Sequence, residues 1–209
     1  MAKQIEGVYE RIMACAQQEF LEKGYKDASL RVIAAKANTA TGSIYTRFGD
    51  KESLFSAIVE PVVDEFMEMF RDVNQVFQSF DAETQKKSMH QYSSNSMTKM
   101  LDFIYQHFYV FKLLLDASYG TKFHKFMDEM IENEVESTYK YMEVIGCESV
   151  KSGIVTEDFI HIVVTSYFEG VFEVVRHDMS REEAVKYINM LRLYHLAGFE
   201  TVFSPEKYR

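Results

Sequence analysis

Residues 29–55 read SLRVIAAKA (29–37), NTATGSIYTRF (38–48) and GDKESLF (49–55). Ser29 is a residue type that caps helices, and the apolar residues after it repeat at helical spacing to Ala37, which predicts one short helix. Asn38 tolerates the left-handed backbone of a tight turn, and a second short helix is predicted over about 41–48. Leu30, Ile33, Ala34, Ala37 and Ile44 form a small core in which the alanines let the two backbones approach. Thr41, Ser43, Tyr45, Thr46 and Arg47 fall on the other face, as short polar or amphipathic groups able to reach phosphates and base edges in a major groove. Gly42 leaves that surface open. Two short helices across a tight turn are a helix-turn-helix candidate.

Upstream, Ile5, Val8, Tyr9, Ile12, Met13, Ala16 and Phe20 recur at helical spacing and Gly24 is a C-terminal stop, so a first helix precedes the pair. Downstream, Asp50 is a good N-cap for a helix carrying Leu54, Phe55, Ile58, Val62, Phe66, Met69, Phe70 and Val73, which Pro61 is expected to kink or divide.

With Ala16, Phe20, Gly24 and Tyr25 ahead of it, the segment 29–55 closely resembles the DNA-binding part of the tetracycline-repressor (TetR) family over about a quarter of the chain. The resemblance implies a DNA-contacting set of Ser29, Arg31, Thr41, Gly42, Ser43, Tyr45, Thr46, Arg47 and Lys51. Within it, Tyr45 meets phosphate, Thr41, Ser43 and Thr46 lie nearest the bases, and Lys51 binds phosphate together with the helix N-terminus. Two departures bear on the start of the second helix: Asn38 stands where glycine is common, and Thr39-Ala40 replaces an apolar residue followed by a capping serine.

The rest of the chain is consistent with an all-α protein. Its 209 residues are 47% apolar, enough for a sizeable core, and include only 2 prolines and 9 glycines. The net charge of −9 argues at first against a nucleic-acid partner. Residues 1–50, however, hold seven Lys and Arg against six Asp and Glu, so the acidity lies in the remainder. Cys15 and Cys147 form neither a disulfide framework nor a metal motif, which fits a reducing compartment. The charged N-terminus is unlike a signal peptide and no apolar run is long enough to span a bilayer, so a cytoplasmic protein without a membrane partner is expected.

Further helices are predicted near 82–106, 108–118, 121–145, 156–177 and 180–203, the last opened by the capping box Ser180-Met-Arg-Glu183. The fold expected is an N-terminal three-helix helix-turn-helix domain over 1–50 and a helical effector-binding and dimerisation domain over 51–209, about nine helices in all. Residues 159–175, FIHIVVTSYFEGVFEVV, are apolar almost all round and need cover on more than one side. Helix 180–203 is similarly broad, with apolar positions that run from Val185 to Phe203. A four-helix homodimer interface, as in the resembled family, accounts for both, with Phe168, Val171, Phe172, Val175, Leu191, Tyr194 and Phe199 as its residues and Gly170 and Gly198 as close crossings.

The resemblance puts a small-molecule effector among the middle helices. The aromatic and thioether residues there suit a lipophilic or planar ligand. The candidate set is Phe66, Phe103, His107, Phe108, Phe111, Tyr119, Phe123, Met127, Tyr139, Met142, Tyr167 and Phe168. His107, His124 and His161 form no metal-binding pair, so neither a metal nor a cofactor is expected. Asp128, Glu129, Glu132, Glu134 and Glu136 read most simply as a solvated helix face. The function implied is a ligand-responsive repressor that binds a palindromic double-stranded DNA operator as a homodimer. Two other classes stay open, an α-helical enzyme using the aromatic pocket and a protein-binding adaptor. No nucleophile elbow, phosphate loop or dinucleotide fingerprint supports the first, and the second does not need the polar face 41–47.

Overall fold

The computed structural model of the protein describes residues 2–203, with side chains described over 7–202. The apolar positions Ile5 and Phe203 therefore lie outside the described side chains. All regular structure in the described residues is helical. The described residues form two compact units, 2–65 with 107–126, and 66–106 with 127–203.

The first unit begins with α1 (Ala2–Asp27), whose helical geometry breaks at Gly24, where φ is 72°. That conformation is cheap for glycine alone, which explains why the stop read from the sequence falls there. The short helices α2 (Leu30–Lys36) and α3 (Thr41–Phe48) follow. Asn38 between them has φ 51°, the left-handed turn its side chain tolerates. Ile12, Ala16, Phe20, Ile33, Ala34, Ala37 and Ile44 are buried and lock the three helices together. Phe55 meets Phe20 and Tyr25 edge-to-face, with centroids 5.1 and 5.5 Å apart, and Phe20 stacks on Tyr25 at 6.1 Å.

Helix α4 runs from Lys51 to Gln78, with residues up to 65 in the first unit and the remainder in the second. Asp50 caps it by accepting a bond from the Ser53 amide at 2.7 Å. Pro61 lies inside α4, which continues past it undivided. The proline removes a single N–H, and Ile58, Val59 and Val62 are all buried around it, so packing holds the helix through the gap.

The helix predicted over 108–118 is instead α6 (Phe108–Lys112) followed by a π-helical turn over Leu113–Ala117. The Ser118 hydroxyl donates to the Leu114 carbonyl at 2.6 Å, a local bond that competes with helix continuation. A 3₁₀ turn, Lys122–Lys125, then precedes α7 (Phe126–Val144) where one helix over 121–145 was expected. Thr121 initiates that turn by accepting from the Phe123 amide.

The second unit holds the rest of α4 with α5 (Ala82–Gln106), α7, the single-turn α8 (Glu148–Lys151), α9 (Glu157–Arg176) and α10 (Arg181–Phe203). The capping box at α10 forms both reciprocal bonds: the Ser180 amide donates to Glu183 at 2.9 Å and the Glu183 amide to the Ser180 hydroxyl at 3.3 Å. Gly170 lets α9 and α10 approach, since a β-carbon there would stand 3.0 Å from Leu191. Tyr105 ties α5 to the start of α10 through a 2.7 Å bond to the Met179 carbonyl, and Arg181 pairs with Asp102. Among the described residues, no helix is long and apolar enough to cross a membrane.

Candidate nucleic-acid interface and ligand cavity

Helix α3 is held from beneath and open above. Ile44 is fully buried, whereas Tyr45 is 54% exposed and Thr46, Arg47 and Gly42 are exposed with it. A β-carbon on Gly42 would meet nothing within 4 Å, so the surface is flat there. Thr41 and Ser43 are half-buried at the entrance to the helix. Its N-cap position falls on Ala40, which has no side-chain acceptor to supply, and the helix nonetheless starts at Thr41. The Thr46 hydroxyl donates back to the Gly42 carbonyl at 2.8 Å, and Arg47 curls back onto Ser43. Both side chains are thus parked on their own helix, within reach of a partner that offers better acceptors.

Three features around α3 were not read from the sequence as they stand. Ser29 occupies the N-cap position of α2, but its hydroxyl makes no capping bond. Glu19, 3% exposed, takes over: it accepts from the Ser29 amide at 3.4 Å and from Lys36 Nζ at 3.1 Å. A buried acid facing an exposed α2 lysine clamps α1 to the helix-turn-helix, and Lys36 is held above its ordinary basicity by Glu19 first, then Glu22. Lys51, expected at phosphate, donates to the carbonyls of Lys26 at 2.9 Å and Ala28 at 3.3 Å and lies over the Tyr25 ring. It closes the C-terminal end of α1. Arg31 is exposed on α2.

The second unit contains a cavity of about 190 Å³. Its walls come from α4 (Phe70, Val73, Asn74, Phe77), α5 (Tyr92, Met97, Met100), α7, α9 and α10. Of the residues proposed from the sequence, Tyr167 and Phe168 line it. The others sit elsewhere. Phe111 and Phe123 are buried in the first unit, where Phe123 packs on Phe55 with ring centroids 6.2 Å apart. Tyr119, 60% exposed, holds Lys26 over its ring. Phe66 packs with Phe103 and Phe172 in the second unit's core. Met127 and Met142 are core residues, and Tyr139 faces an acidic surface hollow with His161. Phe108 packs edge-on to Tyr109, and His107 is the N-cap of α6. For the buried ones the physical reason is shared: apolar character specifies burial, and most buried aromatics meet other side chains.

The polar groups of the cavity are those the sequence reading missed. Glu134 was assigned to a solvated acidic face, yet it lines the cavity while Glu132 and Glu136 point outward. It accepts from the Asn74 amide at 3.1 Å, and burial pushes its carboxyl up to about 7. Burial raises the Tyr167 phenol far above its ordinary value, and the nearby Glu134 carboxylate adds to this while Arg192 opposes it. His195 stacks edge-on with Tyr167 at 4.9 Å and is lowered by burial, which leaves it neutral at pH 7. The Arg192 Nε is buried and has no hydrogen-bond partner among the described residues. A signal for Glu134 did exist: it shares the spacing of Met130, Ile131, Ser137, Thr138 and Tyr141, the inward face of α7.

The residues expected to form a dimer interface divide in two. Phe168, Val171, Phe172 and Val175 are at most 3% exposed within this chain's own core. Leu191 packs near Gly170 and Phe199 lines the cavity. Tyr194, at 75% exposed, does lie outside. With it stand Met190 and Leu193 on α10 and Ile162 on α9, each more than half exposed. Gly198 has open space above it.

Residues 12–58 match the family model described as bacterial regulatory proteins, tetR family. The chain is 37% identical over 71 residues to the HTH-type transcriptional regulator YvdT of Bacillus subtilis (strain 168), a match that covers 34% of this chain and 37% of that protein. It is 26% identical over 145 residues to the regulator YhgD of the same organism, covering 69% of this chain and 70% of the other. Among solved structures, a TetR-like transcriptional regulator from Rhodococcus sp. RHA1 superposes with a TM-score of 0.61 at 17% identity, covering 91% of this chain and 96% of that one. That likeness concerns the fold.

Proposed function

We propose that the chain is a DNA-binding transcriptional regulator of the tetR type, as the match over residues 12–58 and the similarity to YvdT support, and that it is a ligand-responsive repressor acting in the cytoplasm. As a homodimer it binds a palindromic operator and is released by a small lipophilic or aromatic effector. The observation that carries the DNA-binding half is α3, rigidly backed by Ile44 and presenting Tyr45, Thr46, Arg47 and the open backbone of Gly42 on one face. Thr41, Ser43 and Thr46 read bases, while Tyr45, Arg47 and Arg31 meet phosphates, and Ser29 and Lys51 sit at the rim.

The homodimer is supported by the exposed apolar stripe of Met190, Leu193 and Tyr194 on α10, with Ile162 also exposed on α9, where water-facing side chains of this size favour burial against a second copy. Effector response is supported by the cavity and by α4, since Phe70, Asn74 and Phe77 of the cavity wall belong to the helix whose first turn follows Asp50. A ligand that favours one arrangement of α4 changes operator affinity in proportion to its differential binding, roughly 5- to 150-fold for a coupling of about 1 to 3 kcal/mol.

Sequencing the genomic DNA fragments retained by the purified protein tests the reading. Enrichment of an inverted repeat with half-site centres about 34–36 Å apart or a multiple of that supports it, and Tyr45→Ala should abolish the enrichment. Retention without any shared sequence, or on one asymmetric half-site, overturns it.

A further inference from the structure

We propose that the cavity of the second unit takes a small amphipathic organic acid, whose carboxylate is received by Arg192 and whose apolar part, about one ring in size, lies among Phe70, Phe77, Met97 and Phe168. The inference rests on the ligand-responsive reading above and names the chemistry of that same site.

Volume sets the size. Cavities near 150 Å³ hold a benzene ring, so about 190 Å³ accommodates one ring with a short substituent. The walls set the polarity, being chiefly aromatic and thioether side chains, which adapt to a flat apolar group. Arg192 sets the charge. A guanidinium carries five donors and keeps its proton at any physiological pH. Here its Nε is buried without an acceptor, and no carboxylate among the described residues forms an ion pair with it. Glu134 is the one acid in the cavity lining, and it is hydrogen-bonded to Asn74. A buried donor left unmatched is costly, and a ligand carboxylate that supplies the acceptor recovers that cost on binding. The Tyr167 hydroxyl, close enough to feel both Glu134 and Arg192, offers a second donor.

Glu134 then works against the ligand when ionised and with it when protonated. The groups that line the cavity with it are Tyr92 from α5, Tyr141 from its own α7, Tyr167 from α9, and Arg192 and His195 from α10. Of these Arg192 is the permanent cation, and His195 is neutral near pH 7. The acid is therefore expected to bind more tightly at pH 6 than at pH 8, with a proton taken up near neutrality.

The experiment is calorimetric titration of the full-length protein with phenylacetate, its neutral isostere phenylacetamide, and the cation phenethylamine. The expected order is acid over amide by at least tenfold, with the amine weakest. Arg192→Met should bring acid and amide to similar affinity. The comparison of the three probes on the unaltered protein stands even where that variant does not fold. Equal affinities for acid and amide, preference for the amine, or no binding of the acid at millimolar concentration each overturns the proposal. Operator binding measured separately by fluorescence anisotropy keeps the two readings apart. An acid that binds through Arg192 without changing operator affinity leaves the ligand chemistry intact and refutes ligand response.

Discussion

Replacing Glu134 by Gln removes the titratable acid from the cavity and keeps the oxygen that accepts from Asn74 at 3.1 Å. In the folded chain burial raises this carboxyl from 4.5 to about 7, so the folded state holds a proton that the unfolded state releases over that interval. The stability tied to this proton is fully present below about pH 4.5 and is lost as pH rises through about 7. An interval of about 2.5 pH units is worth roughly 3 kcal/mol at 1.36 kcal/mol each. Glutamine cannot ionise, so Glu134→Gln should gain on the parent protein by roughly 2 to 3 kcal/mol between pH 5 and pH 8, or about 5 to 10 °C in melting temperature for a chain of this size. The assay is urea unfolding followed by circular dichroism at fixed protein concentration across that range, since association makes apparent stability depend on concentration. A stability difference between the two proteins that stays flat from pH 5 to pH 8 would refute the argument. It would mean that the carboxyl is hydrated or paired in the folded state.

Three further outcomes follow from the same structure. Leu193→Glu and Met190→Glu place a carboxylate in the exposed apolar stripe and should give monomers of 24.4 kDa by light scattering; a dimer mass for both variants at micromolar concentration would rule out this face. Lys51→Met removes donors to the Lys26 and Ala28 carbonyls and should cost roughly 1 to 2 kcal/mol of stability while lowering the salt slope of DNA binding by about one. An unchanged melting temperature would show that those carbonyl contacts are dispensable. Thr156→Ala deletes the hydroxyl that accepts from the Phe159 amide at 3.2 Å at the start of α9, with an expected loss of about 1 kcal/mol in chemical denaturation; no loss would mean that water replaces the cap.

The helix-turn-helix was legible because each of its requirements is local. The left-handed turn at Asn38, the break at Gly24 and the caps at Asp50 and Ser180 depend on residues within four positions of one another, so the sequence displays them directly. The π turn after Phe108 was not legible, because the hydroxyl of Ser118 competing for a backbone carbonyl leaves the apolar spacing unchanged. That Pro61 leaves α4 undivided was not legible for a related reason: one missing N–H is a local cost, and the burial of Val59 and Val62 that outweighs it is not local.

Apolar periodicity in this chain determined by itself that the fold is helical, where most helices begin and end, and which short helix presents a polar face. Only the tertiary structure decided how the apolar surface is shared out. Phe168, Val171, Phe172 and Val175 fill the chain's own core, and the exposed stripe belongs to Met190, Leu193 and Tyr194. Likewise, only the packing of α7 against its neighbours turned Glu134 from one acid in a row into the carboxyl of a cavity that also holds Asn74, Tyr167 and Arg192. Hydrophobicity tells a residue to leave water but names no partner, and the partner is chosen by helices far apart in the chain that meet once the fold closes.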